Sequence, residues 1–385
     1  MPQPRIRYRR SPNVVSYWTD QGFLLHNFAT DARSGGDPLA VEILDFFDDW
    51  RSVDDLYRRL GRFDRPLLAR VVEALEKRSL LERSDRPRSI EKAMESWASW
   101  NPAGGFFHFT TKDVPYAEPE EAEDHLLEKA QGVPMPPAVK RYPRATRRPL
   151  PEPRVDGEFP QVLLARRSWR RFAEQPLDIS ALATLLGLTF RIQRWTPLPG
   201  LWPGKKKAGK VILKTSPSGG ARHPLEAYVL AARVKGLPSG LYHYAPDSHS
   251  LETLKATATP RQIADYVPAQ WWYSRASALI VLTAVFARSE WRYEFPRAYR
   301  AVLLEAGHFS QTFLLVATWL GLAPFCSMAL ADTKIEQDLG LDGVSESVLH
   351  AVGVGPRPSG VDWAPLPPPR PPRGIGARKP KEARR

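Results

Sequence analysis

Two segments carry residue types suited to holding an anion and a flat ring. The first, residues 166–172, reads Arg-Arg-Ser-Trp-Arg-Arg-Phe and gathers four guanidinium groups and a hydroxyl. Guanidinium forks bind phosphate oxygens in pairs. The second, residues 216–224, reads Ser-Pro-Ser-Gly-Gly-Ala-Arg-His-Pro and runs into an apolar stretch at 225–230. Small residues let backbone N–H groups come close to a ring or an anion. Together the two describe a site for a phosphorylated planar cofactor. Either one alone reads more simply, as a solvated basic helix end or an ordinary glycine turn. Their order and the strand that follows favour the cofactor. A third cluster, Trp291-Arg292-Tyr293, precedes Arg297-Ala298-Tyr299-Arg300 and a run that ends at Glu305-Ala306-Gly307-His308.

The elements that must position these residues divide the chain into four parts. Residues 1–85 read as short strands at 14–18 and 22–28, then helices entered near Leu39, Leu56 and Pro66, the second through a capping-box-like Ser52-Val53-Asp54-Asp55. Strands followed by three short helices suggest a small winged-helix domain. A helix that reads DNA would be basic; residues 66–77 balance Arg70 and Lys77 against Glu73 and Glu76. Peptide binding by strand addition is therefore the expectation. Residues 86–160 are rich in Pro and charge and read as a linker or arm. Within them Phe106-Phe107-His108-Phe109-Thr110-Thr111-Lys112-Asp113 has no evident chemistry, and core packing is its simplest reading. Residues 161–355 alternate helix and strand, with an uninterrupted apolar run at 279–285 that suits a strand buried on both faces. That alternation implies an α+β or α/β domain. Residues 356–385 hold nine prolines and an excess of six positive charges, and read as a disordered basic tail.

At these residues the chain resembles the nitroreductase superfamily, and within it the SagB/ThcOx-type peptide dehydrogenases. Arg166, Ser168 and Arg170 match the segment that holds the phosphate and ribityl chain of FMN in that superfamily. Pro217, Ser218, Gly219, Gly220 and Ala221 match the turn that lies against the isoalloxazine. The run from Arg297 to His308 is similar to a helix of the azoline oxidases. In those enzymes a Lys-Tyr pair just upstream is assigned to proton abstraction. Here Arg292 stands at the Lys position and Tyr293 keeps the Tyr. Guanidinium cannot act as a base, so Tyr293 becomes the candidate base and Arg292 its electrostatic support. Glu305 and His308, one helical turn apart, suit bracing better than catalysis. The resemblance implies an α+β fold: a dimeric flavin domain with a central mixed sheet flanked by helices, preceded by a PqqD-like winged helix. It implies FMN as cofactor and a peptide with a leader segment as substrate. It further implies a cyclodehydratase as possible partner, a homodimer, and oxidation of a Cys-, Ser- or Thr-derived azoline to an azole. The alternatives are an NAD(P)H-fed reductase, a flavin oxidase of another substrate, or a non-catalytic peptide-binding scaffold.

Other classes are disfavoured. Net charge is +13, which invites nucleic acid or an acidic membrane, but much of the excess lies in the tail, and neither partner is expected. Cys326 is the only cysteine; it forms no internal disulfide, and the chain suits a reducing cytoplasm. The eight His lack metal-ligand spacing, and no metal is expected. No charged residue occurs between Glu305 and Asp332, a length compatible with a membrane span. Gln311, Thr312 and Thr318, with Gly321 and Pro324 beyond, point instead to a buried helix ending near Leu320. Neither a dinucleotide-binding G-x-G-x-x-G after a strand nor a P-loop is present.

Overall fold

In the N-terminal unit, alternating apolar residues build a three-stranded antiparallel meander: β1 (Val14–Thr19), β2 (Gly22–Asn27) and β3 (Ala32–Gly35). The structure is a computed structural model that describes residues 6–132, 151, 153–197, 210–255 and 257–361. The proline-rich stretch from 134 and the basic tail fall for the most part outside the described residues. Three helices follow the meander, α1 (Pro38–Phe46), α2 (Val53–Arg59) and α3 (Arg65–Lys77). Each starts at a side-chain cap. Asp37 accepts from the Ala40 N–H, Ser52 and Asp55 close the capping box read from the sequence, and Asp64 accepts from the Leu67 N–H. Such caps contribute about 1 kcal/mol each. Ile43, Phe47, Leu56, Leu68, Val72 and Leu81 form the core of this unit.

The stretch after residue 86, read as a linker, is built into the protein up to Tyr116. It forms a short helix, Ser89–Met94, then α4 (Ala103–Thr110). Trp97 and Trp100 are fully buried in the core shared with the C-terminal domain. The sequence signal was weak because a few large aromatics, set among charges without a period, carry the burial. Lys112 then pairs with Glu336 at 2.5 Å.

The C-terminal domain holds a six-stranded sheet of β4 (Leu225–Ala231), β5 (Gly240–Ala245), β6 (Ser250–Lys255), β7 (Ala278–Val285), β8 (Leu322–Ser327) and β9 (Glu346–Pro356), in the order β6-β5-β4-β7-β9-β8. Every pairing in this sheet is antiparallel, where a mixed sheet was expected. The helical crossover from β7 makes β8 run parallel to it, but β9 enters between them in the opposite direction. Its helices of eight residues or more are α5 (Glu158–Ala165), α6 (Ile179–Phe190), α7 (Ala298–Trp319) and α8 (Asp332–Leu339).

Among the described residues, α7 is the one helix long and apolar enough to cross a membrane. Its Val302, Ala306, Phe309, Phe313 and Ala317 are buried, and Phe309 stacks on Phe190 of α6 at 5.5 Å. It ends at Trp319 with Leu320 as cap, as the following Gly321 and Pro324 suggested. Leu304 and Trp319 stay exposed on its other side.

On β5, His243 lies between Glu226 at 3.1 Å and Glu252 at 2.7 Å. These hydrogen bonds, Glu226 foremost, raise its pKa from 6.5 to about 9. A raised folded-state pKa means that the folded chain holds the proton more tightly. The stabilisation is complete below pH 6.5 and is lost as the pH rises through about 9. Replacing His243 by Gln should therefore lower Tm more at pH 6 than at pH 9.5. Equal losses at both values would reject the assignment.

Candidate functional site

The glycine turn is pinned to α7 at four levels. Ser216 Oγ meets Thr312 Oγ1 at 2.8 Å, and His308 Nδ1 lies 3.4 Å from the Pro217 carbonyl. His223 Nδ1 faces Glu305 Oε1 at 3.5 Å, and Gly219 approaches Ala301. Glu305 and His308 thus brace the turn, as their spacing suggested. The Ser218 hydroxyl accepts from the His223 N–H at 2.8 Å. The backbone is left-handed at Gly220 (φ 60°), Ala221 (φ 54°) and His223 (φ 43°). Non-glycine residues hold that conformation only where their surroundings impose it.

This turn meets the third cluster. A Cβ on Gly220 would lie 2.5 Å from Arg292 Cδ and 2.8 Å from the Tyr293 hydroxyl. A Cβ on Gly219 would lie 3.7 Å from the Tyr293 ring. The Arg292 guanidinium stands 5.6 Å from the Tyr293 ring centroid, and Phe295 meets that ring edge-on at 5.9 Å. Arg222 covers the exposed Trp291 at 5.0 Å. Glu290 does not pair with Arg292; it accepts from the Ser99 hydroxyl at 2.6 Å. Replacing Gly220 by Ala combines a left-handed φ with an overlap on Arg292 and Tyr293. That variant should weaken cofactor binding at least tenfold, read by titration with FMN, and unchanged binding would exclude close packing at the turn.

One residue near the turn escaped the sequence reading. Lys214 has its Nζ 5.5 Å from the Phe309 ring, and burial brings its pKa down to about 8 against the pull of Glu226 and Glu305. Lys214 and Glu305 come from distant parts of the chain, and only the packing of α7 against the turn brings them close.

The arginine segment is anchored elsewhere. Arg166 caps α5. The Trp169 N–H donates to the Pro324 carbonyl at 2.8 Å and the Ala173 N–H to that of Pro356 at 3.0 Å. Phe172 packs on Phe325 at 5.7 Å. Ser168 and Arg170 are half-buried within this segment. The Arg357 guanidinium covers Trp169 at 4.9 Å, which adds a cation the sequence reading had left in the tail. Its position just past the last strand is the one signal that could have marked it. Arg171 Nε and Arg357 Nε are both buried without an acceptor. Buried donors without acceptors are costly, so a phosphate in this place would satisfy them. The arginine donors fit the phosphate of a flavin mononucleotide; at Gly219 and Gly220 the Cβ side is taken by Arg292, Tyr293 and Ala301, so a ring there would lie against the turn's backbone.

Within one chain, however, these two halves stand apart. Leu225, just after the turn, pairs with Ala284 at one end of β4; Pro324 is level with Val354, Ala278 and Ala231 at the other. Six residues at about 3.3 Å each separate them by roughly 20 Å along the strands, with three strand steps of about 4.8 Å across.

Residues 163–356 match the model of the nitroreductase family. The trifolitoxin-processing protein TfxB of Rhizobium leguminosarum bv. trifolii is 32% identical over 147 residues, covering 37% of this chain and 39% of that protein. A putative nitroreductase of Methanocaldococcus jannaschii is 30% identical over 178 residues, 46% of this chain and 82% of that one. Among solved structures, the Escherichia coli microcin synthetase McbBCD complex with truncated pro-MccB17 aligns with a TM-score of 0.40 at 20% identity, over 63% of this chain and 96% of the matched chain.

Proposed function

Because this chain belongs to the nitroreductase family, whose members are flavin-dependent oxidoreductases, we propose that it is an FMN-dependent peptide dehydrogenase oxidising a Cys-, Ser- or Thr-derived azoline to an azole. The observation that carries this reading is the convergence of the Gly219–Gly220 face with Arg292 and Tyr293, residues more than seventy positions apart in sequence. Relatives named for toxin processing support a peptide substrate.

Bound FMN would supply the acceptor for the two electrons that leave the substrate. The chain does the rest. Arg166, Ser168 and Arg170, joined by Arg171 and Arg357, hold the phosphate. Pro217, Ser218, Gly219, Gly220 and Ala221 line the ring. Tyr293 takes the substrate proton, and the Arg292 guanidinium supplies a fixed positive charge beside it. The roughly 20 Å between the two halves makes the site composite: the arginines of one copy meet the turn of a second in a homodimer. The exposed Leu304 and Trp319 on α7 and Phe159, Leu163 and Leu164 on α5 supply an apolar face for that contact.

The N-terminal unit serves as a winged-helix module for the leader segment. A groove of about 350 Å³, lined among others by Val14, Ser16, Leu25, Val41 and Leu44, runs between β1 and α1. Among the described residues no strand pairs with the outer edge of β1 beside it, which suits an added strand. A cyclodehydratase would make the azoline beforehand, in the cytoplasm. The Arg292 substitution favours one second reading, oxidation of a peptidyl group other than an azoline. The test is direct. The purified chain should be yellow with a flavin spectrum, and incubation with a heterocycle-bearing precursor peptide should remove two hydrogens per ring, read by mass spectrometry. A colourless chain that takes up no FMN would sink the proposal.

A further inference from the structure

The aromatic stretch at 97–108 lies outside the residues that match the nitroreductase family, yet it grips the loop carrying Arg292 and Tyr293. That loop leaves the domain at Phe286 and returns at Tyr299, and these two rings stack at 5.7 Å to close its base. Trp97 packs against both, at 4.8 and 6.0 Å. Trp100 and His108 do the same. His108 bonds to the Gly343 carbonyl at 3.1 Å and to the Tyr299 hydroxyl at 2.8 Å. A carbonyl only accepts, so Nε2 carries the proton and Nδ1 accepts from Tyr299.

Two further bonds reach into the loop itself. The Trp100 indole N–H donates to the Tyr293 carbonyl at 3.0 Å, and the Ser99 hydroxyl donates to Glu290 at 2.6 Å. Trp100 is fully buried, so its indole is a fixed point. The other side of the stretch touches the N-terminal sheet. Phe106 lies 5.9 Å from Tyr17, 5.9 Å from His26 and 6.2 Å from Phe28. Gly105 permits that approach, because a Cβ there would lie 2.7 Å from the Phe28 ring.

We propose that Ser99 and Trp100 are positioning residues for Tyr293, so that a segment of the N-terminal half completes a site otherwise built by the flavin domain. The inference rests on the catalytic role given to Tyr293 above. One side of the stretch faces the peptide-binding unit and the other faces the proton acceptor, so the two share a single rigid connection.

Hydrogen exchange on the full-length protein tests this. In Ser99→Ala and in Trp100→Phe, amides of 290–297 should exchange at least tenfold faster, while those of β7 and α6 keep their wild-type rates. Ser99 is only half-buried, so its alanine variant reads the contact even if Trp100→Phe fails to fold. Unchanged exchange in the loop in Ser99→Ala would overturn the proposal. Acceleration spread equally over β7 and α6 would also overturn it, because a merely structural role predicts that pattern. Absence of flavin from the purified chain would remove the catalytic reading of Tyr293, and the exchange comparison would still decide whether Ser99 and Trp100 hold the loop.

Discussion

With Arg166 and Arg170 both replaced by Ala, the protein is expected to fold and to lose stable FMN occupancy. Each charge-assisted bond to a phosphate contributes about 1.5–3 kcal/mol. Loss of two should weaken binding by roughly 10²- to 10⁴-fold. Both side chains are only half-buried, so the cost to folding should be small beside that. Titration of the cofactor-free protein with FMN reads the affinity, and thermal unfolding without FMN checks the fold. An unchanged affinity would mean that the phosphate binds elsewhere. The composite site adds a sharper form of the experiment. If, as proposed, Arg166 and Arg170 of one copy serve the turn of the other, the double-alanine chain and a Gly220→Leu chain should each be defective alone. Mixed, they should form heterodimers in which one site has both intact halves. Recovery of about one FMN per mixed dimer is the expected result, and no recovery would place both halves of a site in one chain.

How far the sequence could be read follows from where each signal lies along the chain. The capping box at Ser52, the end of α7 before Gly321 and the buried strand β7 are local, and local chemistry decided them. The sheet directions were not local. A helical crossover between β7 and β8 suggests parallel neighbours, and only the late arrival of β9 between them makes each pairing antiparallel. The segment around Trp97 and Trp100 looked like a linker because burial there depends on a few aromatics meeting Phe286 and Tyr299 nearly two hundred residues away. For the candidate site, the residue types at 166–170 and 217–221 stand out in the sequence because they suit a phosphate and a ring, and their role is the one proposed above. The meeting of Gly220 with Tyr293 was not legible, since nothing in either segment specifies the other. Arg357 and Lys214 were missed for the same reason. Each gains its environment from strands and helices packed around it, not from its neighbours in sequence.

Replacing Tyr293 by Phe removes one hydroxyl and should separate binding from chemistry. The ring that packs against Gly219 remains, so FMN should bind with near-wild-type affinity. If the hydroxyl is the proton acceptor, turnover of the precursor peptide should fall roughly 10²- to 10⁴-fold, the usual contribution of a positioned general base. KM should change little, because the hydroxyl acts on the proton in flight and not on substrate affinity. Arg292 then distinguishes two ways of activating the base. A guanidinium holds its charge at every working pH, so its role reduces to a fixed field beside the phenol. Arg292→Lys keeps a positive charge and should retain most of the activity, whereas Arg292→Gln removes the field and should lower kcat at least tenfold. Wild-type turnover in Tyr293→Phe would move the proton acceptor to another group, and the Lys214–Glu305–His223 cluster behind the turn would be the first place to look. Undiminished turnover in Arg292→Gln would leave Tyr293 as the base and confine Arg292 to packing against Gly220, where its side chain already fills the space that a Cβ would take.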